Sequence, residues 1–293
     1  MDIRVLINFL AVAKEGNITR AAEMLHISQP ALSRQLIELE EELGAELLVR
    51  GNRHVTLSAS GILFQQRAQE IVTLLEKTQR DIADQYGAVG GMVSIGCVET
   101  SASRLLPDVL EEFGARYPMV QYEIYSANGD DIRNKLDSGQ LDLGILAEPI
   151  EAAKYEYIRL PFQERWGVLM RKDDPLTKME SISTEDIVSL PLIVSQRQIV
   201  VDEMESWLGE LSSNLRIVVY HNLMTNTLPL IERGLGYSVS VEGALTVRPH
   251  ENICFVPFSP ERSTGHVLAW KKKRIFGQAA SLFLEYVRDT YQI

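Results

Sequence analysis

Residues Asn17–Gly61, NITRAAEMLHISQPALSRQLIELEEELGAELLVRGNRHVTLSASG, decide how this chain begins. Thr19 is placed to cap a helix over Arg20–Leu25, and His26-Ile27 leaves room only for a tight turn. Ser28 then caps a second helix from Gln29 to about Leu43, with Pro30 in its first turn, where a missing N–H costs nothing. Ala21 and Ala22 are small enough for two short helices to cross closely, and Leu25, Ile27, Leu32, Leu36 and Leu39 give them a shared core. Upstream, Ile3, Leu6, Phe9, Leu10 and Ala13 recur at helical spacing and predict a first core helix. The same stretch is too short for a secretory signal, and Asp2 offsets Arg4 in front of it. Two helices joined by so tight a turn predict a helix-turn-helix, although this pattern alone also fits an ordinary helical hairpin.

Outward from the second helix, Leu47–Arg50 and His54–Leu57 read as short strands with Gly51-Asn52 in the turn between them. Such a wing carries Arg50, Arg53 and His54 beside the second helix, in reach of phosphates or a minor groove. Over its whole length Asn17–Gly61 resembles the signature segment of the LysR family. The match includes Ala21-Ala22, Leu25, Ser28–Ser33, Leu39-Glu40, Leu43-Gly44, Arg50 and Gly61. Leu48 stands where that family usually has Phe, and Ser58 where it usually has Thr.

The resemblance implies a winged helix-turn-helix over 1–58 that binds double-stranded DNA, with the helix from Gln29 as its reader. By that carry-over Gln29 and Ser33 bond base edges, Pro30 meets a thymine methyl, Arg34 reaches phosphate or a guanine edge, and Arg53 approaches the minor groove. Ser28 and Pro30 are also needed simply to start a helix, and Arg50 is equally placed for an ion pair within the head. Gln29, Ser33 and Arg34 lie off the Leu32/Leu36/Leu39 stripe, so the core does not use them.

Charge alone does not point to nucleic acid. The chain of 293 residues has a formal net charge of −11, and residues 1–60 hold six Lys/Arg against eight Asp/Glu. DNA binding is permitted only if Glu38, Glu40, Glu41 and Glu42, clustered at one helix end, face away from the duplex. Two cysteines, Cys97 and Cys254, are too few for a disulfide framework or a metal site and fit a reducing compartment, hence a cytoplasmic protein. No run approaches the length of a membrane span.

From Ser58 a long helix runs to about Asp84, with Phe64, Ala68, Ile71, Leu75, Thr78 and Ile82 at heptad spacing. No neighbouring segment is evident to cover this stripe, so it predicts a homodimer through a linker helix over 59–90. A tetramer is implied by the family alone. Tyr86–Gly91 holds three glycines and reads as a hinge.

From Met92 the pattern turns to short apolar strands alternating with amphipathic helices. Met92–Gly96, Gln121–Ser126 and Asp142–Leu146 are strands, separated by helices Ser103–Arg116 and Asp131–Ser138, the order of a parallel α/β sheet. A second α/β group follows, with strands near Trp166–Met170, Leu192–Ser195, Ile217–Tyr220, Gly236–Ser240, Ile253–Phe258 and His266–Trp270, and a last helix near Ile275–Asp289.

Residues 91–293 are similar to the two-lobed, type II periplasmic-binding-protein-like sensor of the LysR family. Leu106-Pro107, Tyr117-Pro118, Gly139–Gly144 and Gly234-Leu235-Gly236 carry that likeness. It implies lobe I over about 91–160 and 268–293, lobe II over about 161–267, and crossings near Ala147–Leu160 and Phe258–Trp270. A small-molecule effector, polar or anionic, is implied between the lobes. Glu99, Thr100, Ser101 and Asn128 are expected from one side, Ala147 at a crossing, and Ser195, Gln196, Arg197, Met224 and Thr225 from the other. Thr100, Ser101 and Thr225 also fit plain helix caps, and Arg197 an ordinary surface arginine. Cys97 reads as a buried structural thiol.

The five histidines are scattered, and neither a catalytic constellation nor a cofactor loop emerges. The expectation is a sequence-specific DNA-binding regulator, not an enzyme, with no cofactor or metal. A solute-binding protein or an α/β enzyme on the same two-lobed fold is the alternative.

Overall fold

A computed structural model describes residues 1–51, 54–83, 89–247 and 250–291, and the chain divides into two compact units, Met1–Ala83 and Asp84–Ile293. Arg53, the expected minor-groove residue, lies outside the described residues, and of Arg50 only the backbone is described.

The first unit opens with α1 (Ile3–Glu15), capped by Asp2 and closed by Gly16 at φ 57°. Next comes α2 (Ile18–Met24), whose cap is Asn17, not Thr19: Asn17 Oδ1 accepts from Arg20 N at 3.0 Å. Because Gly16 already turns the chain, Asn17 is left extended, in the conformation that a cap requires. The turn then passes His26, at φ 55°, and Ile27 N reaches back to Ala22 O at 3.0 Å. α3 (Gln29–Leu43) follows, with Ser28 Oγ accepting from Ala31 N and Pro30 in its first turn.

Phe9, Val12, Ala21, Ala22, Leu32, Leu36 and Leu39 form one closed core under the three helices. β1 (Leu48–Arg50) pairs antiparallel with β2 (Val55–Leu57) as the wing. A single carboxylate oxygen, Glu40 Oε1, accepts both Leu47 N at 2.8 Å and Leu48 N at 2.9 Å, so α3 grips the root of the wing. Gly61 is required where α4 (Ala59–Ala83) starts, because a Cβ there would lie 2.0 Å from Leu47 O.

The long helix is not uncovered along its whole stripe. Ala68 and Val72 are buried against Leu6 of α1, and Phe64 packs edge-on to Phe9 at 4.9 Å. Two of the six expected seam residues, Phe64 and Ala68, therefore belong to the monomer's own core. Ile71 and Ile82 stay exposed, at 44% and 56%, together with Leu63 and Leu74.

The second unit begins with β3 (Gly90–Cys97), α5 (Leu105–Arg116), β4 (Met119–Ser126), α6 (Gly129–Asp137) and β5 (Leu143–Ala147), in which β3 is parallel to both β4 and β5. β6 (Tyr155–Arg171) is one strand of 17 residues. After it come β7 (Pro191–Ser195), α7 (Gln198–Leu208), β8 (Arg216–His221), α8 (Leu228–Glu232), β9 (Tyr237–Val241), α9 (Ala244–Val247), β10 (Ile253–Pro257), β11 (Ser263–Lys271) and α10 (Gln278–Tyr291). The described strands hydrogen-bond in the order β4-β3-β5-β11-β6-β9-β7-β8, with β10 paired to β6.

Lobe I packs Val93, Ile95, Phe113, Ile145, Leu268 and Phe283 together, and lobe II packs Val168, Met170, Leu192, Val194 and Met204. Between them, among the described residues, run the middles of β6 and β11, which pair antiparallel across the junction, with an irregularity between Gly265 and His266. Tyr155–Leu160, expected as a crossing, is instead a strand of lobe I's sheet, paired with His266–Lys271. The crossings lie just beyond it, in Pro161–Arg165 and Ser259–Gly265.

Candidate nucleic-acid interface and ligand cleft

On α3, Gln29, Pro30 and Arg34 are exposed and Ser33 is half-buried, while Leu32, Leu36 and Leu39 point inward. Arg34 makes no hydrogen bond or ion pair among the described residues, so its charge is available at the surface. Ser28 spends its hydroxyl on capping. Gln29 shares an open groove with Thr19, Arg20, His54 and Val55, formed by the starts of α2 and α3 and the wing. Arg20 is steadied by donating to Glu15 O at 2.8 Å. The acidic end of α3 is remote from this groove, since nine residues of helix separate Gln29 from Glu38, roughly 14 Å. Glu40 turns to the wing root, and Glu42 accepts from the N-terminal amine at 2.9 Å.

Between the lobes of the second unit lies a cavity of about 530 Å³ and, beside it, a smaller one of about 120 Å³. Thr100, Trp166 and Arg197 line both. Ala147 lines the larger, and Glu99, Asn128, Ser195 and Met224 the smaller. Gln196 is exposed and lines neither.

Most of the polar groups are already engaged. Thr225 Oγ1 lies 2.9 Å from each oxygen of Glu99 and donates to it across the lobes. Arg197 Nε and Nη2 donate to Asp130 of α6 at 3.3 and 3.4 Å, also across the lobes. Gly129 leaves room for that guanidinium, because a Cβ there would lie 2.6 Å from Arg197 Nη2. Asn128 caps α6, accepting from Asp130 N and Asp131 N. Ser195 Oγ accepts from Arg197 N at 3.3 Å. Thr100 holds the N-cap position of the short turn Ser101–Arg104 without a side-chain capping bond, and Thr225 lies inside the turn Met224–Asn226 and caps nothing. Ser101 contributes its backbone N–H, donated to Glu164 Oε1 at 2.5 Å. Burial, with Glu99 nearby, pushes the Cys97 thiol up to about 12, which keeps it an unreactive neutral group.

Residues 3–62 match the family model described as the bacterial regulatory helix-turn-helix protein of the lysR family, and residues 87–292 match the LysR substrate binding domain. The chain belongs to the LysR family. It is a DNA-binding transcriptional regulator with an effector-binding domain. Among curated relatives, the Hca operon transcriptional activator HcaR of Escherichia coli (strain K12) is 30% identical over 279 residues, covering 93% of this chain and 92% of that one. The HTH-type transcriptional regulator AlsR of Bacillus subtilis (strain 168) is 31% identical over 202 residues, 68% of this chain and 65% of its own. Full-length CbnR complexed with its target DNA shares the fold at a TM-score of 0.74, with 24% identity over 99% of this chain and 100% of that one.

In this LysR-family chain the sequence reading missed several residues that the cleft brings together. Trp166, Tyr157 and Ile150 wall the larger cavity, and His266 closes it. Glu164 stands behind, buried although charged. Its signal was hidden in Gln163-Glu164-Arg165, which reads as a polar loop, and the buried position emerges only when Pro161 is accommodated within a continuous strand. Among the described residues no helix is long and apolar enough to cross a membrane, and no cluster of His, Cys, Asp or Glu is placed to hold a metal ion.

Proposed function

We propose that this regulator works as a cytoplasmic homodimer, or a pair of dimers, whose heads over 1–58 read two half-sites of a roughly palindromic operator. Gln29, Ser33 and Arg34 make the base-edge and phosphate contacts, with Pro30 against a methyl group and the Arg50–Arg53 wing at the minor groove. Joining falls to the 59–90 helix through its exposed row Leu63, Ile71, Leu74 and Ile82. The sensor over 91–293 takes a small polar effector in the interlobe cavity and acts by binding, not by turnover. An anionic group on that effector competes with Asp130 for Arg197. Ligation redistributes the lobes between two placements and so biases how the heads are offered to DNA.

The observation that carries this reading is the exposed, unspent polar face of α3, backed by a sealed leucine stripe. Genomic fragments captured on the purified full-length protein test it: enrichment of an imperfect inverted repeat is expected. Fragments retained without any shared sequence would remove the operator-reading role.

A further inference from the structure

Behind the His266 and Thr100 wall of the interlobe cavity lie buried polar atoms that no described residue hydrogen-bonds. His266 is 1% exposed and its Nδ1 lies 3.3 Å from the Phe162 carbonyl. A carbonyl only accepts, so in the neutral ring Nδ1 carries the hydrogen and Nε2 is left as a bare acceptor. Facing it, 3.9 Å away, is Glu164 Oε2, on a carboxylate 4% exposed. The other oxygen of Glu164 is held by Ser101 N–H. His266 Nε2, Glu164 Oε2 and the Thr100 hydroxyl are all buried without a hydrogen-bond partner. Gly243 backs this carboxylate closely, since a Cβ on it would come within 1.8 Å of Glu164 Oε1.

With the ring neutral and Glu164 ionised, two acceptors face each other and call for a donor with two hydrogens. A nitrogen within ordinary hydrogen-bond reach of both, at about 2.8 Å, sees them at an angle of roughly 90°. That is close to the angle between two N–H bonds of an ammonium group. A buried carboxylate also favours a cation over a neutral donor. A carboxylate ligand would bring a third acceptor to the same spot. His266 and Thr100 line the larger cavity, where Val98, Ile150, Tyr157, Trp166 and Val200 supply an apolar side and Glu148, Arg159, Glu203, Ser263 and Thr264 a polar one.

We infer that the effector of this cleft is a primary amine. Its ammonium head is held by Glu164, His266 and Thr100, and its apolar, ring-sized body lies against Trp166 and Tyr157. This rests on the reading of the cleft as the effector site and names the chemistry of its inner end. Arg197, held by Asp130, is left for whatever second polar group the amine carries.

Three probes on one carbon frame test it with the full-length protein: phenethylamine, phenylacetamide and phenylacetate. Apparent melting temperature and Trp166 emission are read together, with Trp166→Phe to assign the signal. Phenethylamine is expected to stabilise and to perturb Trp166 saturably, phenylacetamide to do so more weakly, and phenylacetate not at all. Glu164→Gln turns the facing acceptor into an amide N–H donor that can bond His266 Nε2 directly. That variant is expected to melt higher than the parent, by about 2–4 °C, while losing phenethylamine binding about tenfold or more. Thr100→Val, which keeps shape and removes the hydroxyl, is expected to weaken phenethylamine a few-fold.

A Glu164→Gln variant that melts lower, or phenethylamine binding that survives in it, overturns the inference. So does silence of Trp166 towards phenethylamine. Phenylacetate binding that ignores Glu164→Gln overturns the ammonium assignment while keeping the cleft as the effector site. The cleft itself fails separately, if Trp166 ignores the metabolites made by genes adjoining the captured operator.

Discussion

The α3 face proposed to read DNA and the interlobe cleft are both polar surfaces on apolar supports, yet they treat their polar groups in opposite ways. On α3 Gln29, Pro30 and Arg34 point into solvent, and Arg34 makes no bond among the described residues, so DNA bound as proposed would meet a face that needs no rearrangement. In the cleft Arg197 is tied to Asp130 and Glu99 to Thr225, across the lobes, while the buried Glu164–His266 end and the His221 ring have polar atoms without a hydrogen-bond partner among the described residues. A ligand there has to replace internal bonds, and replacing bonds that join two lobes is how binding energy becomes movement. A surface meant to recognise is prepaid in geometry; a surface meant to respond starts out occupied.

The contrast breaks most visibly in the head's core. Leu36→Ala removes a fully buried side chain and is expected to cost about 2–5 kcal/mol, abolishing operator retention. Calorimetry should show the head's transition shifted down and that of the sensor unchanged; a common shift would mean that the two units melt as one.

Next in size, Arg34→Ala should weaken operator binding about tenfold and reduce the salt slope by about one unit, with the melting temperature unaltered. An unchanged slope in a filter-binding titration removes Arg34 from the phosphate contacts. Asp130→Asn acts on the other side of the contrast. Its ion pair is partly exposed, so the loss of sensor stability is only about 0.5 kcal/mol. The freed guanidinium should then let phenylacetate, silent towards the parent, perturb Trp166 emission. No gain would show that Arg197 is not the group that waits on anions.

The smallest effect is one of pH. Burial holds the His221 imidazole, in the wall of the smaller cavity, below its ordinary range. The folded sensor therefore binds this proton less readily than the unfolded chain does. Its contribution to stability is whole above the unfolded value of about 6.5 and is lost as pH falls through the lower folded value. Melting temperature should drop from pH 7 towards pH 5, and His221→Asn should flatten that drop.

Much of the head was legible because short-range chemistry decides it. Ser28-Gln29-Pro30 and the leucine spacing act within a few residues, and the structure keeps them as read. The cap of α2 was misplaced because Thr19 and Asn17 are both good caps, and only the left-handed Gly16 chooses between them. The stripe on α4 looked uncovered because its cover, Leu6 of α1, is about sixty residues away in sequence. In the sensor the alternation of strands and helices showed lobe I, whereas β6 was half lost, since Pro161 and Glu164 look like loop residues. Asn128, Thr225 and Arg197 were legible as polar residues near strand ends. Their bonds were not, because each bond spans an element boundary or joins two lobes.

The doubly engaged Glu40 has a consequence for target choice. One carboxylate oxygen clasps both amides at the root of β1, so the wing and α3 travel as a single rigid tool. Such a tool measures length as well as letters. If helix and wing touch one duplex as proposed, insertion of one base pair between their two contacts cannot be absorbed within one head and has to be met by bending the duplex.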